Sequence, residues 1–188
     1  PKVNEFTIDL KQNIQQQISN INNRFLKDMS FIISKNICDF IRRHNHLSDL
    51  MEKEVESLDK IAKEEAEGKA QDANLKKARK SSEDAISKIK KDMGTLLLRE
   101  NVKKNYILFM ESLNDMHEEM IGKMNNYLHE DLFLEVAQYV DSIVENVLLL
   151  LHQFYIIIAE TYTEETEYAA FEFVKVENVR RDLKNKVQ

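Results

Sequence analysis

The sequence predicts an all-α fold, an elongated antiparallel up-down-up-down four-helix bundle, and three observations carry that prediction. Only 3 Gly and 1 Pro occur among 188 residues, and turns between strands need many more of both. Apolar residues recur at spacings of three and four through most of the chain, the pattern of helix faces. The interruptions between these stripes are short, which makes neighbouring helices antiparallel. The chain reads as a single domain over 1–188, with helices at roughly 3–44, 47–79, 82–126 and 130–187. Helices of about 40 residues are about 60 Å long. A two-helix rod that dimerises is the competing architecture.

In the first helix, Leu10, Ile14, Ile18, Ile21, Phe25, Met29 and Ile32 form a stripe that runs on through Phe40. Gln15, Gln16, Gln17, Asn20, Asn22 and Asn23 make a polar, uncharged outer face. His44, Asn45 and His46 mark the first turn, and Ser48 caps the second helix by accepting an orphan N–H. That helix carries Leu47, Met51, Val55, Leu58 and Ile61, after which its inward residues shrink to Ala66, Ala70 and Ala73. The second turn falls between Gly68 and Ser82, where Ser81, Ser82, Glu83 and Asp84 suit a first helical turn. Helix three follows Ile86, Ile89, Met93, Leu97, Phe109, Leu113, Met116, Met120 and Met124. Asn125 and Asn126 weaken its end, and helix four opens near Asp131.

Antiparallel order places the first and third turns at one end, and the termini with the second turn at the other. The two ends are unequally supplied. Phe25, Phe31, Phe40, Tyr106, Phe109, Phe133, Tyr139 and a Met cluster gather at the first, whereas residues 41–105 contain no aromatic. Alanine buries little surface at roughly 25 cal/mol per Å², so the second end is expected to open first. Basic residues collect there: Lys76, Lys77, Arg79, Lys80, Lys88, Lys90 and Lys91, with Arg180, Arg181, Lys184, Lys186, Lys2 and Lys11. Two readings stand, a solvated helical surface and an attachment face for anionic headgroups, worth roughly 1 kcal/mol per basic residue.

Residues 143–159 are apolar almost all round, and Leu148, Leu151, Phe154 and Ile157 are the candidate membrane contacts. A surface helix needs one stripe only, so this segment is expected to be covered on more than one side. It falls short of the roughly 20 apolar residues of a standard transmembrane helix. It is the most buried helix of the bundle, a dimerising face, or a segment that enters lipid once the bundle opens. The acidic stretch 160–177 that follows resists insertion at neutral pH. Within the apolar run, His152 is expected to be buried and is the candidate pH-sensitive residue, since forcing a buried imidazole to charge costs stability.

Motifs of known chemistry are missing. No Glu-x-x-His pair of a di-metal bundle occurs, and His117-Glu118 matches only a fragment of a zinc-protease motif. The glycines of a phosphate-binding or dinucleotide loop are lacking. Cys38 reads as a small buried hydrophobe. His44, His46 and His129 are expected at one end, as a chance surface cluster or an adventitious metal site. No catalytic residue, cofactor or metal is expected, and the protein is read as non-enzymatic. With 33 acidic against 27 basic residues, the net charge of -6 gives no reason to expect nucleic acid.

The opening Pro1-Lys2-Val3 reads as the start of a processed or shortened form, without a signal peptide. The Asn, Lys and Ile bias, carried by residues 15–23, 76–91 and 148–158, resembles the sporozoite microneme proteins essential for cell traversal in malaria parasites. The resemblance implies a small secreted helical bundle that helps an invasive stage breach host-cell membranes, with a host-cell membrane or membrane protein as partner. It carries no site residues. Two readings remain: a bundle that opens onto membranes through its fourth helix, and a passive module holding a protein partner or a second copy along a helical face.

Overall fold

The computed structural model describes the backbone of residues 2–66, 73–127 and 130–185. Within these it describes the side chains of 10–20, 23–24, 27–28, 30–66, 73–115, 118 and 141–183. Among the described residues all regular structure is helical: α1 (Lys2–Glu64), α2 (Ala73–Leu96), α3 (Arg99–Tyr127), α4 (Glu130–Thr161), α5 (Glu165–Ala169) and α6 (Val176–Asn185). The all-α class is as expected, and the division into helices is not.

α1 runs for 63 residues without a turn at His44, Asn45 and His46. His and Asn each cost only about 0.5 kcal/mol relative to Ala inside a helix, and no Gly or Pro breaks the ladder there. The inward stripe also keeps its phase across the site. Ile37, Phe40 and Ile41 are buried, and His44, Leu47, Met51, Leu58 and Ile61 continue half-buried. Arg42 donates to Asp39 at 2.6 Å one turn back. Further upstream the expected stripe is one position out of register: Ile33 is buried, whereas Ile32 is exposed.

The second correction concerns Ser81 and Ser82, which lie inside α2 rather than at its start, and Ser82 is buried. The expected position at Gly68 lies outside the described residues. The third is a break nobody would place from composition, at Leu97 and Leu98. The Thr95 carbonyl receives both the Leu98 N–H and the Asn101 side-chain amide at 2.6 Å. The Leu97 carbonyl accepts the Tyr162 hydroxyl at 2.7 Å. Side chains thus satisfy carbonyls that the helix would otherwise have paired. Only the end of helix three and the start of helix four fall close to expectation, at Tyr127 and Glu130.

The last correction is that helix four stops at Thr161. The acidic stretch 162–175 hooks back, pinned by Phe171, which is buried and packs edge-on to Tyr162 at 4.9 Å. Arg99 stacks over the Phe171 ring at 5.4 Å and donates to the Glu167 carbonyl. Glu172 takes a φ of 56°, a left-handed conformation that lets the chain reverse without glycine. Glu160, Glu164, Glu165, Glu167, Glu172 and Glu177 all remain exposed.

The chain divides into two compact units. One comprises Asn36–Leu108 and Phe154–Glu172. In it α1 and α2 form an antiparallel hairpin: Glu65 pairs with Arg79 at 2.9 Å, while α1 residues 36–47 face the end of α2. Ile37, Phe40, Val102, Phe154 and Ile158 are its most buried side chains, with Phe171 close behind. The other comprises Pro1–Lys35, Phe109–Gln153 and Phe173–Gln188. Its core is built from Ile33, Phe109, Leu113, Ile143, Val147, Leu148 and Leu151. α6 closes on it through Val179 and Leu183, and Arg180 grips Glu145 with two bonds of 2.9 and 2.8 Å.

Two substitutions test the break. A Cβ at Gly94 meets nothing within 4 Å, so Gly94→Ala is expected to stabilise the protein by about 0.5–1 kcal/mol. Tyr162→Phe removes the donor to the Leu97 carbonyl and is expected to cost about 0.5–1.5 kcal/mol. Thermal unfolding followed by circular dichroism reads both.

Candidate functional site

At 100° per residue, α4 separates two faces cleanly. Ile143, Val147, Leu148, Leu151, Phe154, Tyr155 and Ile158 lie on the inner one and are buried. Phe154 meets Phe40 edge-on, with ring centroids 4.9 Å apart. The candidate membrane contacts Leu148, Leu151, Phe154 and Ile157 all belong to this core, with Ile157 at 8% exposure the least covered. The apolar residues that face outward are Leu149 at 59% and Ile156 at 45%, one heptad apart. The helix is therefore covered along a wide stripe and open behind it. Its segment Asp141–Thr161 is long and apolar enough to cross a membrane, a test that the core helix of a water-soluble protein also passes.

His152 shares the outward face with Leu149 and Ile156 and is exposed, contrary to expectation. Apolar neighbours in sequence do not bury a residue whose direction on the helix points away from the core. It borders a groove of about 430 Å³ with Glu145, Leu149, Glu177 and Arg180. The titratable group that burial does perturb is Tyr155. Desolvation, reinforced by a hydrogen bond with Tyr106, pushes its hydroxyl far above the ordinary phenol range. Burial raises Tyr168 as well.

The basic residues of α2 emerge as expected. Lys76, Lys77, Arg79, Lys80, Lys88, Lys90 and Lys91 are all exposed. Against them α2 carries three acids, Glu83, Asp84 and Asp92, so seven positive and three negative charges leave it at +4. Among the described residues, only Arg79 of the basic set is engaged, bridging Glu65 at 2.9 Å and Glu83 at 3.1 Å. Of the C-terminal bases, Arg180 and Arg181 belong with α6 to the other unit and carry their own partners, Glu145 and Asp182. Lys2, Lys184 and Lys186 lie outside the described side chains.

α2 buries only Ser82 and Ile89, and α1 buries nothing fully beyond Ile41. The apolar poverty expected of this region is thus present, in a hairpin rather than at one end of a bundle. Cys38 is half-buried. His44 and His46 sit within α1 and not at a turn, while His129 lies outside the described residues. Among the described residues no group of three His, Cys, Asp or Glu side chains converges on a point.

One feature escaped sequence reading. Beside the break at Leu97 and Leu98, a groove of about 640 Å³ opens between α1, α2 and α3. Arg43 and His46, three apart on α1, line it together with Asp92 of α2 and Lys104 of α3. Its location follows from the helix break, for which the sequence holds no Gly or Pro signal at those two positions. His46 was read as part of a turn, and Arg43 was not singled out. No protein-family model, curated protein or solved structure matches the chain.

Because Tyr155 stays protonated in the folded state, stability is intact below the unfolded phenol value of about 10 and falls as pH rises above it. The slope is expected to reach about 1.4 kcal/mol per pH unit, and Tyr155→Phe is expected to remove it. In contrast, His152→Gln is expected to shift stability by no more than about 0.5 kcal/mol, as for other exposed positions. Denaturant titrations across pH check both.

Proposed function

We propose that this protein is non-enzymatic and acts at host-cell membranes, attaching through the exposed basic face of α2 and then opening to release the apolar face of α4. The observation that carries the reading is the hairpin itself. Seven basic side chains project from a helix that anchors only Ser82 and Ile89 in the interior. Coulombic attraction to anionic headgroups adds roughly 1 kcal/mol per base near the surface, while little apolar burial opposes local separation of such a hairpin. The helix released by opening, Asp141–Thr161, has the length and composition to enter lipid. Support for a secreted protein of cell traversal comes from the composition-level resemblance in residues 15–23, 76–91 and 148–158. A closed four-helix bundle belongs to the same proposal as its resting state.

A second reading has its own observation. Leu10, Ile14 and Ile18 are 52%, 49% and 52% exposed, a stripe along α1 flanked by the uncharged Gln15, Gln16, Gln17 and Asn20. Such a face suits a passive module that pairs with another helix, in a homodimer or with a membrane protein.

Co-sedimentation and dye release with phosphatidylserine-containing vesicles separate the two. The membrane reading expects binding and leakage, with binding reduced by about a hundredfold when Lys76, Lys77 and Lys80 all become Gln. Vesicles that stay unbound and intact at neutral and mildly acidic pH would sink it.

A further inference from the structure

Among the described residues, six of the seven arginines are engaged and one is not. Arg24, Arg42, Arg79, Arg180 and Arg181 each pair with a carboxylate, and Arg99 stacks on Phe171. Arg43 has no ion pair or hydrogen bond among the described residues, although Asp39, one turn away, is present to offer one and is taken by Arg42. Arg43 instead lines the groove beside the helix break. Lys104 and His46 line the same groove and are likewise without partners among the described residues. A guanidinium, an ammonium and an imidazole therefore line one concavity.

The rest of the lining narrows the ligand. Asn36 carries an amide with no partner among the described residues, whereas Asn101 and Asn105 each spend one donor on the backbone, at 2.6 and 2.7 Å. Leu47, Leu96 and Leu108 supply apolar wall. The volume of about 640 Å³ is that of a site for an organic molecule rather than a bare ion. Forked guanidinium, point-charge ammonium, imidazole and neutral amides approach from α1 and α3, an arrangement suited to an oxyanion with three or more acceptor oxygens. A carboxylate would use two of these directions. Asp92 opposes an anion from α2 and has no ion pair of its own among the described residues. Arg43 and Lys104 against Asp92 leave these three positions at +1.

We propose that this groove binds a phosphate ester, with Arg43 as the bidentate anchor, Lys104, His46 and Asn36 as further donors, and the leucines against the organic portion. The site is independent of the basic face of α2. Asp92 holds affinity down through repulsion, which makes it the informative position: its neutralisation strengthens a phosphate site and does nothing for a solvated surface groove.

Calorimetry on the full chain with glycerol 3-phosphate and with inorganic phosphate tests this, alongside flotation with vesicles of phosphatidic acid in phosphatidylcholine. Expected is saturable binding of glycerol 3-phosphate at one per chain, weakened about tenfold or more by Arg43→Gln, as for loss of a charge-assisted hydrogen bond. Asp92→Asn is expected to strengthen it several-fold. Both positions are exposed on helices, so unchanged helicity and midpoint confirm that folding is retained. The pair Lys76→Gln and Lys77→Gln is expected to leave the affinity within about twofold, while it weakens vesicle capture through α2. Capture by phosphatidic acid that depends on Arg43, without binding of the soluble ester, supports the groove and assigns the phosphate to a lipid headgroup. The proposal is overturned if neither soluble probe saturates at about 10 mM and capture by phosphatidic acid does not depend on Arg43, or if Arg43→Gln and Asp92→Asn leave binding unchanged. It is overturned equally if the Lys76 and Lys77 variant loses as much as Arg43→Gln.

Discussion

The interaction on which the rest depends is the burial of one wide face of α4. Val147, Leu151, Phe154 and Ile158 have essentially no solvent contact, and they belong in turn to both compact units. Each fully buried side chain of this size contributes roughly 1.5–3 kcal/mol from the removal of apolar surface from water. Phe40 of α1 packs edge-on to Phe154, and Tyr106 of α3 lies beside Tyr155. The hook exists because Phe171 has somewhere to go: its aromatic contact with Tyr162 offsets the left-handed backbone at Glu172. α6 is held by the same logic on a smaller scale, two buried aliphatics and one bidentate ion pair.

Where that face runs out, the character of the protein changes. The hairpin of α1 and α2 beyond Ile41 has half-buried side chains and few buried ones, and its tip is held by exposed ion pairs at Arg79. Exposed pairs contribute little in water because both charges remain solvated. A well-packed helix and a lightly packed, strongly charged hairpin in one chain give two tiers of local stability. Function that requires movement draws on the weaker tier, and the positive charge is found there too. In this protein the surface suited to meet an anionic partner and the part least tied to the core are the same helix.

The break between α2 and α3 ties packing to chemistry. A continuous helix would have consumed the Thr95 and Leu97 carbonyls in the ladder. Instead the Asn101 amide and the Tyr162 hydroxyl donate to them from the side. The residues on either side of that break, Asp92, Thr95 and Leu96 before it, Asn101 and Lys104 after it, are those that border the groove with Arg43. A local exchange of backbone for side-chain hydrogen bonds is thus accompanied by a concavity lined with charges that have no ion pair among the described residues.

Helical class, the basic face of α2, the aromatic-free stretch and the apolar run of α4 were all legible in the sequence, because composition and periodicity act locally. The ends near Tyr127 and Glu130 were legible for the same reason, through Asn125, Asn126 and Asp131. Other features were decided by tertiary structure. His44, Asn45 and His46 carry only weak preferences against helix, and the unbroken phase of the stripe on α1 overrides them. The breaks at Leu98 and Thr161 have no glycine or proline to announce them; they depend on partners 65 residues away, such as Tyr162 with Leu97, or on a pocket for Phe171. His152 was misread because hydrophobic neighbours in sequence say nothing of direction, and its angle around α4 turns it outward. The groove at Arg43 needed three helices to exist at all. The sequence by itself determined which segments are helical and which faces are charged, since those follow from side-chain chemistry residue by residue. Only tertiary structure decided where helices stop and which charges stay unpaired, since both depend on what lies across from them in space.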